Sequence, residues 1–358
     1  MLSRRHLIQA AAGVTAMAAE GAARAQVPPA AARRGKVIDV HTHMYTTAFL
    51  TALQASGDSN FKIGQGPQYR RIEYRGRPIA NLYPAMTDWA MRLNAMDHDG
   101  IDIAVISLTA PNVYWGTAEN SRQAAKVIND EYAEAQARYG ERIRWYASLP
   151  WDDAEAAIRE LHRAKAQGAV GVCTLTNILG RPLTDERYRP VWREIEAQGL
   201  PTFVHPTDPV AEGLGLEHFG LGTTVGFTSE TSLCFARMIV SGFMDELPNL
   251  QMIACHAGGG LPYLIGRLEY FWHKDSSERQ SAISPKNYLS RLWYDALAYD
   301  QPTMNFLVEQ VGYDRVLYGS DYPFLIADPV GVLERTSAFS SVQREAILSG
   351  NAARLFKL

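Results

Sequence analysis

The chain is poor in cysteine, with only Cys173, Cys234 and Cys255 in 358 residues and no Cys-x-x-Cys pair. That scatter excludes a disulfide framework, and the three read as small buried hydrophobes. An excess of one charge is missing too. Lys plus Arg number 35 against 38 Asp plus Glu, for a net charge of −3 and a pI near 6.3. Such a balance leaves no electrostatic footprint for nucleic acid or an anionic membrane. No apolar run reaches the roughly 20 residues that span a bilayer. No Gly-x-Gly-x-x-Gly follows the first strand candidate, which argues against dinucleotide binding. No Gly-x-Ser-x-Gly elbow supports serine hydrolase chemistry. The triple glycine Gly258 to Gly260 lacks the Lys-Ser/Thr tail of a phosphate loop. It reads as a tight turn that lets a substrate approach the backbone. What is present, 47% hydrophobic and 20% charged residues, builds an ordinary globular protein with ample core.

The first 26 residues do not read as fold. Ser3-Arg4-Arg5-His6-Leu7-Ile8 precedes a small-residue apolar run from Leu7 to Ala19, and Ala23-Arg24-Ala25 offers a cleavage site before Gln26. The order resembles a twin-arginine export signal and predicts a periplasmic or exported protein. Cargo of that route crosses folded, which suits a protein whose metal is inserted beforehand. Residues 27–36, rich in Pro, Ala and Arg, read as a linker, and 37–358 as the folded domain.

From residue 37 apolar runs alternate with helical spacing. Strand candidates are Val37–His43, Ile101–Leu108, Ile143–Leu149, Ala169–Leu175, Leu200–His205, Leu250–His256, Leu292–Leu297 and Arg315–Ser320. Between them lie helical patterns, among them one from a Thr87 cap to Gly100, one opened by Asp152, and one from Ser229 to Leu247. Eight such units predict a (β/α)8 TIM barrel with parallel strands. Residues 44–85 form an insertion after strand 1, with the alternating Arg71-Ile72-Glu73-Tyr74-Arg75 as one strand of a hairpin.

Active sites of such barrels lie at the C-terminal strand ends. Strand 1 ends in His41-Thr42-His43, where alternation points both imidazoles the same way. Strand 5 ends in His205, strand 6 in His256 and strand 8 in Asp321. Four of nine histidines and one aspartate thus reach one rim. Neutral imidazoles with a carboxylate suit one mid-series divalent ion, Zn²⁺ first, with Mn²⁺, Fe²⁺ or Co²⁺ as alternatives.

These motifs resemble the amidohydrolase superfamily (amidohydrolase-related, family 2). Within it they are similar to the metal-dependent decarboxylases typified by 2-amino-3-carboxymuconate 6-semialdehyde decarboxylase. The likeness runs through Ile38–His43, Phe203–Pro206, His256–Pro262, Tyr294–Leu297, Gly319–Phe324 and Gly350–Arg354. It implies His41, His43, His205 and Asp321 as metal ligands and His256 as the group that orients or deprotonates metal-bound water, with Asp321 a second candidate for delivering the proton. It further implies Arg267 and Phe324 as substrate contacts, Arg267 reaching across a homodimer interface. Strand 4 ends Thr174-Leu175-Thr176-Asn177 without the lysine that bridges two metals in many hydrolytic members, which favours one metal. The tryptophan common after His205-Pro206 is replaced by Thr207. The expected reaction is non-oxidative decarboxylation of a small unsaturated or aromatic carboxylic acid. The alternatives are metal-dependent hydrolysis of a lactone, ester or amide on the same fold, and a non-catalytic periplasmic metal- or ligand-binding protein.

Overall fold

Strands buried on both faces need apolar residues at nearly every position, and the eight predicted runs become one parallel sheet. Its order is β1 (Ile38–His43), β2 (Ile103–Ser107), β3 (Ile143–Ser148), β4 (Gly171–Leu175), β5 (Thr202–His205), β6 (Met252–Ala254), β7 (Trp293–Asp295) and β8 (Val316–Leu317). The computed structural model describes residues 35–207, 215–216, 219–275, 277, 279–324, 331 and 338–358. The predicted export signal and most of the predicted linker lie outside these. The sheet curls until β1 meets the segment after β8. Val40 N–H donates to the Tyr318 carbonyl (3.0 Å) and His43 N–H to the Tyr322 carbonyl (2.7 Å). The sheet is thereby a nearly closed barrel.

Ile38, Val40, Ile103, Val105, Tyr146, Cys173, Phe203, Ile253 and Leu317 pack as one interior cluster, joined by Leu355 and Phe356 of the C-terminal helix Asn351–Phe356. A larger cluster fills the layer between sheet and helices. All three cysteines are buried and free.

The helices are α1 (Thr47–Ala55), α2 (Trp89–Asp99), α3 (Ala118–Tyr139), α4 (Ala154–Ala166), α5 (Arg189–Gln198), α6 (Phe227–Val240), α7 (Leu261–Lys274) and α8 (Gln301–Val311), apart from short turns. Caps shift by one residue from expectation. Asp88 rather than Thr87 caps α2 and accepts from Met91 N–H, and Asp153 rather than Asp152 caps α4. The helix predicted over Ser229–Leu247 ends at Val240, because Gly242 turns left-handed (φ 74°) before a single turn at Phe243–Glu246.

The insertion holds more order than its sequence suggests. After α1 it forms a three-stranded antiparallel sheet, Phe61–Gln65, Arg70–Tyr74 and Arg77–Leu82. The first strand begins with a short alternation of its own, Phe61-Lys62-Ile63, before Gly64 interrupts it. Among the described residues no helix is long and apolar enough to cross a membrane.

The glycine run after β6 is a tight turn, but protein rather than substrate fills the space beside it. A Cβ on Gly258 would meet the Tyr294 ring at 2.7 Å, and one on Gly259 (φ 61°) would meet the Thr228 carbonyl oxygen at 2.3 Å. Backbone cannot yield as a side chain does. Gly259→Ala is therefore expected to cost about 2 kcal/mol, seen in a domain of this size as a thermal midpoint lowered by roughly 3 °C. An unchanged melting curve would refute the close packing.

Candidate metal centre

A strand alternates faces strictly, so Val40 and His41 should point opposite ways. They do not. Asp39 pairs with Ala104 and Thr42 with Ile106, so β1 carries one extra residue against β2. Val40 joins the interior cluster, and the His41 ring still lies 4.8 Å from the interior Phe203 ring. The bulge re-aims the strand so that both His41 and His43 enter the barrel mouth. The Asp39 carboxylate supports it, accepting from His41 N–H (3.1 Å), Ser320 N–H (3.1 Å) and Ser320 Oγ (2.5 Å).

Asp295, at the end of β7, serves two neighbours at once. Its Oδ2 lies 2.6 Å from His41 Nδ1 and accepts from His256 N–H (2.9 Å), while Oδ1 accepts from Ala257 N–H (2.8 Å). His256 and Ala257 both sit in left-handed backbone (φ 52° and 56°), an arrangement that persists only where surroundings hold it. Asp321 is also left-handed (φ 55°), and its N–H donates to the His41 carbonyl at 2.7 Å.

The side chains converge. Donor atoms of His41, His205, His256 and Asp321 all lie within 4.8 Å of one another. His43 Nε2 stands 3.1 Å from Asp321 Oδ1 and 3.1 Å from His41 Nε2. His41 Nε2 is 3.3 Å from Asp321 Oδ1, and His256 Nε2 is 3.6 Å from Oδ2. All five residues named from the strand ends therefore meet.

Hydrogen bonding shows what the meeting point requires. His41 Nδ1 faces the Asp295 carboxylate, and His205 Nδ1 faces the Pro206 carbonyl at 2.7 Å. Both partners only accept, so both Nδ1 atoms carry the proton and both Nε2 atoms bring lone pairs inward. Asp321 Oδ1 is buried and has no hydrogen-bond donor. Lone pairs and a carboxylate crowded together without a donor fit a divalent cation, and the site is suited to one. The protonation balance agrees. Burial pushes His41 down, yet the Asp321 and Asp295 carboxylates outweigh it and lift its pKa to about 10. Burial drives His43 to about 4 and, with the neighbouring imidazoles, holds His205 well below the usual range. Burial would raise Asp321, but His41 and its neighbours hold it well below the carboxylate range. Without an ion that balance places a second proton on His41, at the same Nε2 that would bring its lone pair to a cation.

Aromatic rings wall the mouth. Phe324 lies 5.7 Å from the His43 ring and 6.0 Å from that of Tyr83. Phe227 lies 6.2 Å from His205 and 6.4 Å from His256. Past β4, Thr176 and Asn177 donate to Glu230 Oε2, and no lysine stands there. Arg267 is not brought to the cluster. It is exposed on α7, its guanidinium 5.1 Å over the Phe271 ring of the same helix. His98, His162 and His273 pair with surface carboxylates.

Reasoning from sequence missed the part played by Asp295, a charged residue ending an apolar strand between those of His256 and Asp321. Removing its charge should loosen His41 and the His256 turn together. Asp295→Asn is expected to weaken metal affinity about 10–100-fold, measured by titrating metal-free protein with Mn²⁺. Unaltered affinity would deny Asp295 that role.

Residues 38–358 match the family model described as amidohydrolase. The chain belongs to the amidohydrolase family. This amidohydrolase is 31% identical over 275 residues to the 2-amino-3-carboxymuconate-6-semialdehyde decarboxylase of Dictyostelium discoideum, covering 75% of this chain and 76% of that one. It is 31% identical over 283 residues to a gamma-resorcylate decarboxylase of a Polaromonas species, with 75% and 86% covered. Among solved structures, a dihydroxybenzoic acid decarboxylase from Polaromonas with bound manganese and the inhibitor 2-nitroresorcinol superposes with TM-score 0.76 at 28% identity. The match covers 91% of this amidohydrolase and 98% of that chain. The 5-carboxyvanillate decarboxylase of Sphingomonas paucimobilis shares the fold (TM-score 0.80, 24% identity, 91% and 100% covered).

Proposed function

We propose that this amidohydrolase is a metal-dependent, non-oxidative decarboxylase of an aromatic carboxylic acid. The observation that carries the reading is the five-residue His/Asp cluster with the aromatic rings of Phe324 beside His43 and Phe227 beside His205 and His256. Relatives named as decarboxylases of resorcylate and related acids support it over hydrolysis or simple binding.

His41, His43, His205 and Asp321 would hold the ion. A divalent cation held there would supply a positive centre for the carboxylate substrate and would stabilise negative charge developing during the reaction. Zinc is the first choice for three imidazoles and a carboxylate, and manganese the second, since it is bound in related structures. Phe227 and Phe324 hold the ring flat and keep water from its faces. His256, outside the ligand set in this reading, carries the transferred proton at Nε2, with Asp321 the other group in reach. Protonation of the ring carbon that bears the carboxylate lets the carbon–carbon bond break. Carbon dioxide leaves, and the bonding pair restores the aromatic system.

The test is carbon dioxide release from a panel of hydroxybenzoic acids, run beside lactone and ester hydrolysis, before and after chelation and with zinc or manganese restored. Lactone opening without carbon dioxide release would overturn the reading.

A second copy of the chain is proposed to cover α7, whose Tyr263 (80% exposed) and Tyr270 (60%) flank Arg267. Arg267 would then reach the partner's site as a carboxylate contact. A monomeric, fully active protein in size-exclusion chromatography would rule this out. Residues 1–26 are proposed to be an export signal of twin-arginine type, checked by the N-terminal sequence of the periplasmic form.

A further inference from the structure

Arg92 is an arginine in a place as buried as the apolar core. It sits on α2, is 1% exposed, and has no carboxylate within ion-pair distance among the described residues. A guanidinium does not give up its proton in a protein, so this buried side chain is charged at neutral pH. A buried charge without a contacting partner is costly, and such groups persist where their hydrogen bonds do something an apolar side chain could not.

Its bonds go to one place. One terminal nitrogen donates to Thr42 Oγ1 and the other to the His43 carbonyl, while the guanidinium lies 4.6 Å over the Tyr322 ring. Thr42 and His43 are the end of β1, and Tyr322 follows Asp321. These segments touch directly, since Thr42 Oγ1 and His43 N–H both donate to the Tyr322 carbonyl (3.1 and 2.7 Å). The two ends that carry His41, His43 and Asp321 therefore share one fork. A lysine could place a charge there, but it lacks the planar pair of donors and the flat face that stacks on a ring.

We propose that Arg92 is a positioning residue for the metal centre, its fork and its stacking on Tyr322 holding the His41–His43 strand end against the Asp321 turn. Its charge is also felt by the buried Asp39 carboxylate, so two contributions need separating. A positive charge near a cation site should by itself weaken cation binding, whereas positioning should strengthen it. The sign of the change therefore tells them apart.

The experiment titrates metal-free full-length protein with Mn²⁺ and counts free ion by electron paramagnetic resonance, with melting of the metal-free form alongside. Arg92→Lys keeps the charge and loses the fork; Arg92→Met loses both. Both are expected to bind Mn²⁺ at least tenfold more weakly. Thr42→Val removes one acceptor of the fork, together with the Thr42 Oγ1 bond to the Tyr322 carbonyl, without touching the buried charge, and is expected to weaken binding several-fold even should both Arg92 variants fail to fold. Wild-type affinity in Arg92→Lys, tighter binding in Arg92→Met, or unchanged binding in Thr42→Val would overturn the proposal. It rests on the metal-centre reading but not on the substrate. Wild-type protein that takes up neither Mn²⁺ nor Zn²⁺ would overturn the centre and the proposal together, while missing decarboxylase activity in a metal-binding wild type would bear only on the proposed reaction.

Discussion

Asp321→Asn should leave a folded protein with activity reduced about 10³-fold or more, and with metal affinity reduced as well. The substitution is nearly isosteric, so the backbone bond from residue 321 to the His41 carbonyl survives. What disappears is the negative charge that faces three imidazoles, with Oδ1 at 3.3 Å from His41 and 3.1 Å from His43 and Oδ2 at 3.6 Å from His256. An amide offers a neutral carbonyl acceptor and an NH2 group there, and the NH2 would donate to the Nε2 lone pairs that an ion needs. A dication would then meet neutral ligands alone. Activity on a hydroxybenzoic acid and metal content per chain both report the change. A variant that keeps its metal and turns over within tenfold of wild type would show that Asp321 is neither ligand nor acid.

His256→Gln should behave differently. Its turnover is expected to fall about 10²–10⁴-fold, the usual worth of a positioned proton carrier, while metal content holds. Glutamine keeps a polar end of similar reach but cannot exchange a proton. The left-handed turn, fastened by Asp295 through the His256 and Ala257 N–H groups, does not depend on the side chain. The comparison decides a question the geometry leaves to chemistry. His256 belongs with His41, His205 and Asp321 in the 4.8 Å group, and His43 approaches the same carboxylate oxygen. Loss of metal with His256→Gln would move His256 into the ligand set. Full turnover with metal bound would remove it from the mechanism.

Much of the barrel was legible because parallel strands covered on both faces read as continuous apolar runs, and helices between them read by their caps and glycine stops. Gly100 and Gly199 end α2 and α5 in left-handed conformation, as a stop signal should. The cap errors have one source: Thr87 next to Asp88, and Asp152 next to Asp153, are chemically equivalent choices, and only the fold selects between them. The insertion was harder. Its outer strands, with Gly64 in one and Pro78 in the other, carry little alternation, and pairing with Arg70–Tyr74 supplies what their own pattern lacks.

The site divides in the same way. Histidines at strand ends announce themselves, because little else explains an imidazole in phase with the barrel rim. The bulge at Asp39 to Thr42 has no signature in β1 itself, since it exists only relative to β2. Asp295 stood in plain view without a role, and Arg92, between Met91 and Leu93 on a helix, reads as a solvated basic residue until the face it occupies is known.

A barrel is a loop of strands, and every loop has a join. Here the join lies between β1 and β8, where Val316–Leu317 is only two residues long and closure depends on a few bonds to Tyr318 and Tyr322. The His41–His43 end and Asp321 stand on opposite sides of that seam. An ion shared between them would act as a clasp, tying the last strand to the first. Loading should then raise resistance to unfolding by mass action, with its largest protection at backbone amides along the seam, so that filling the metal centre would tighten the barrel's closure.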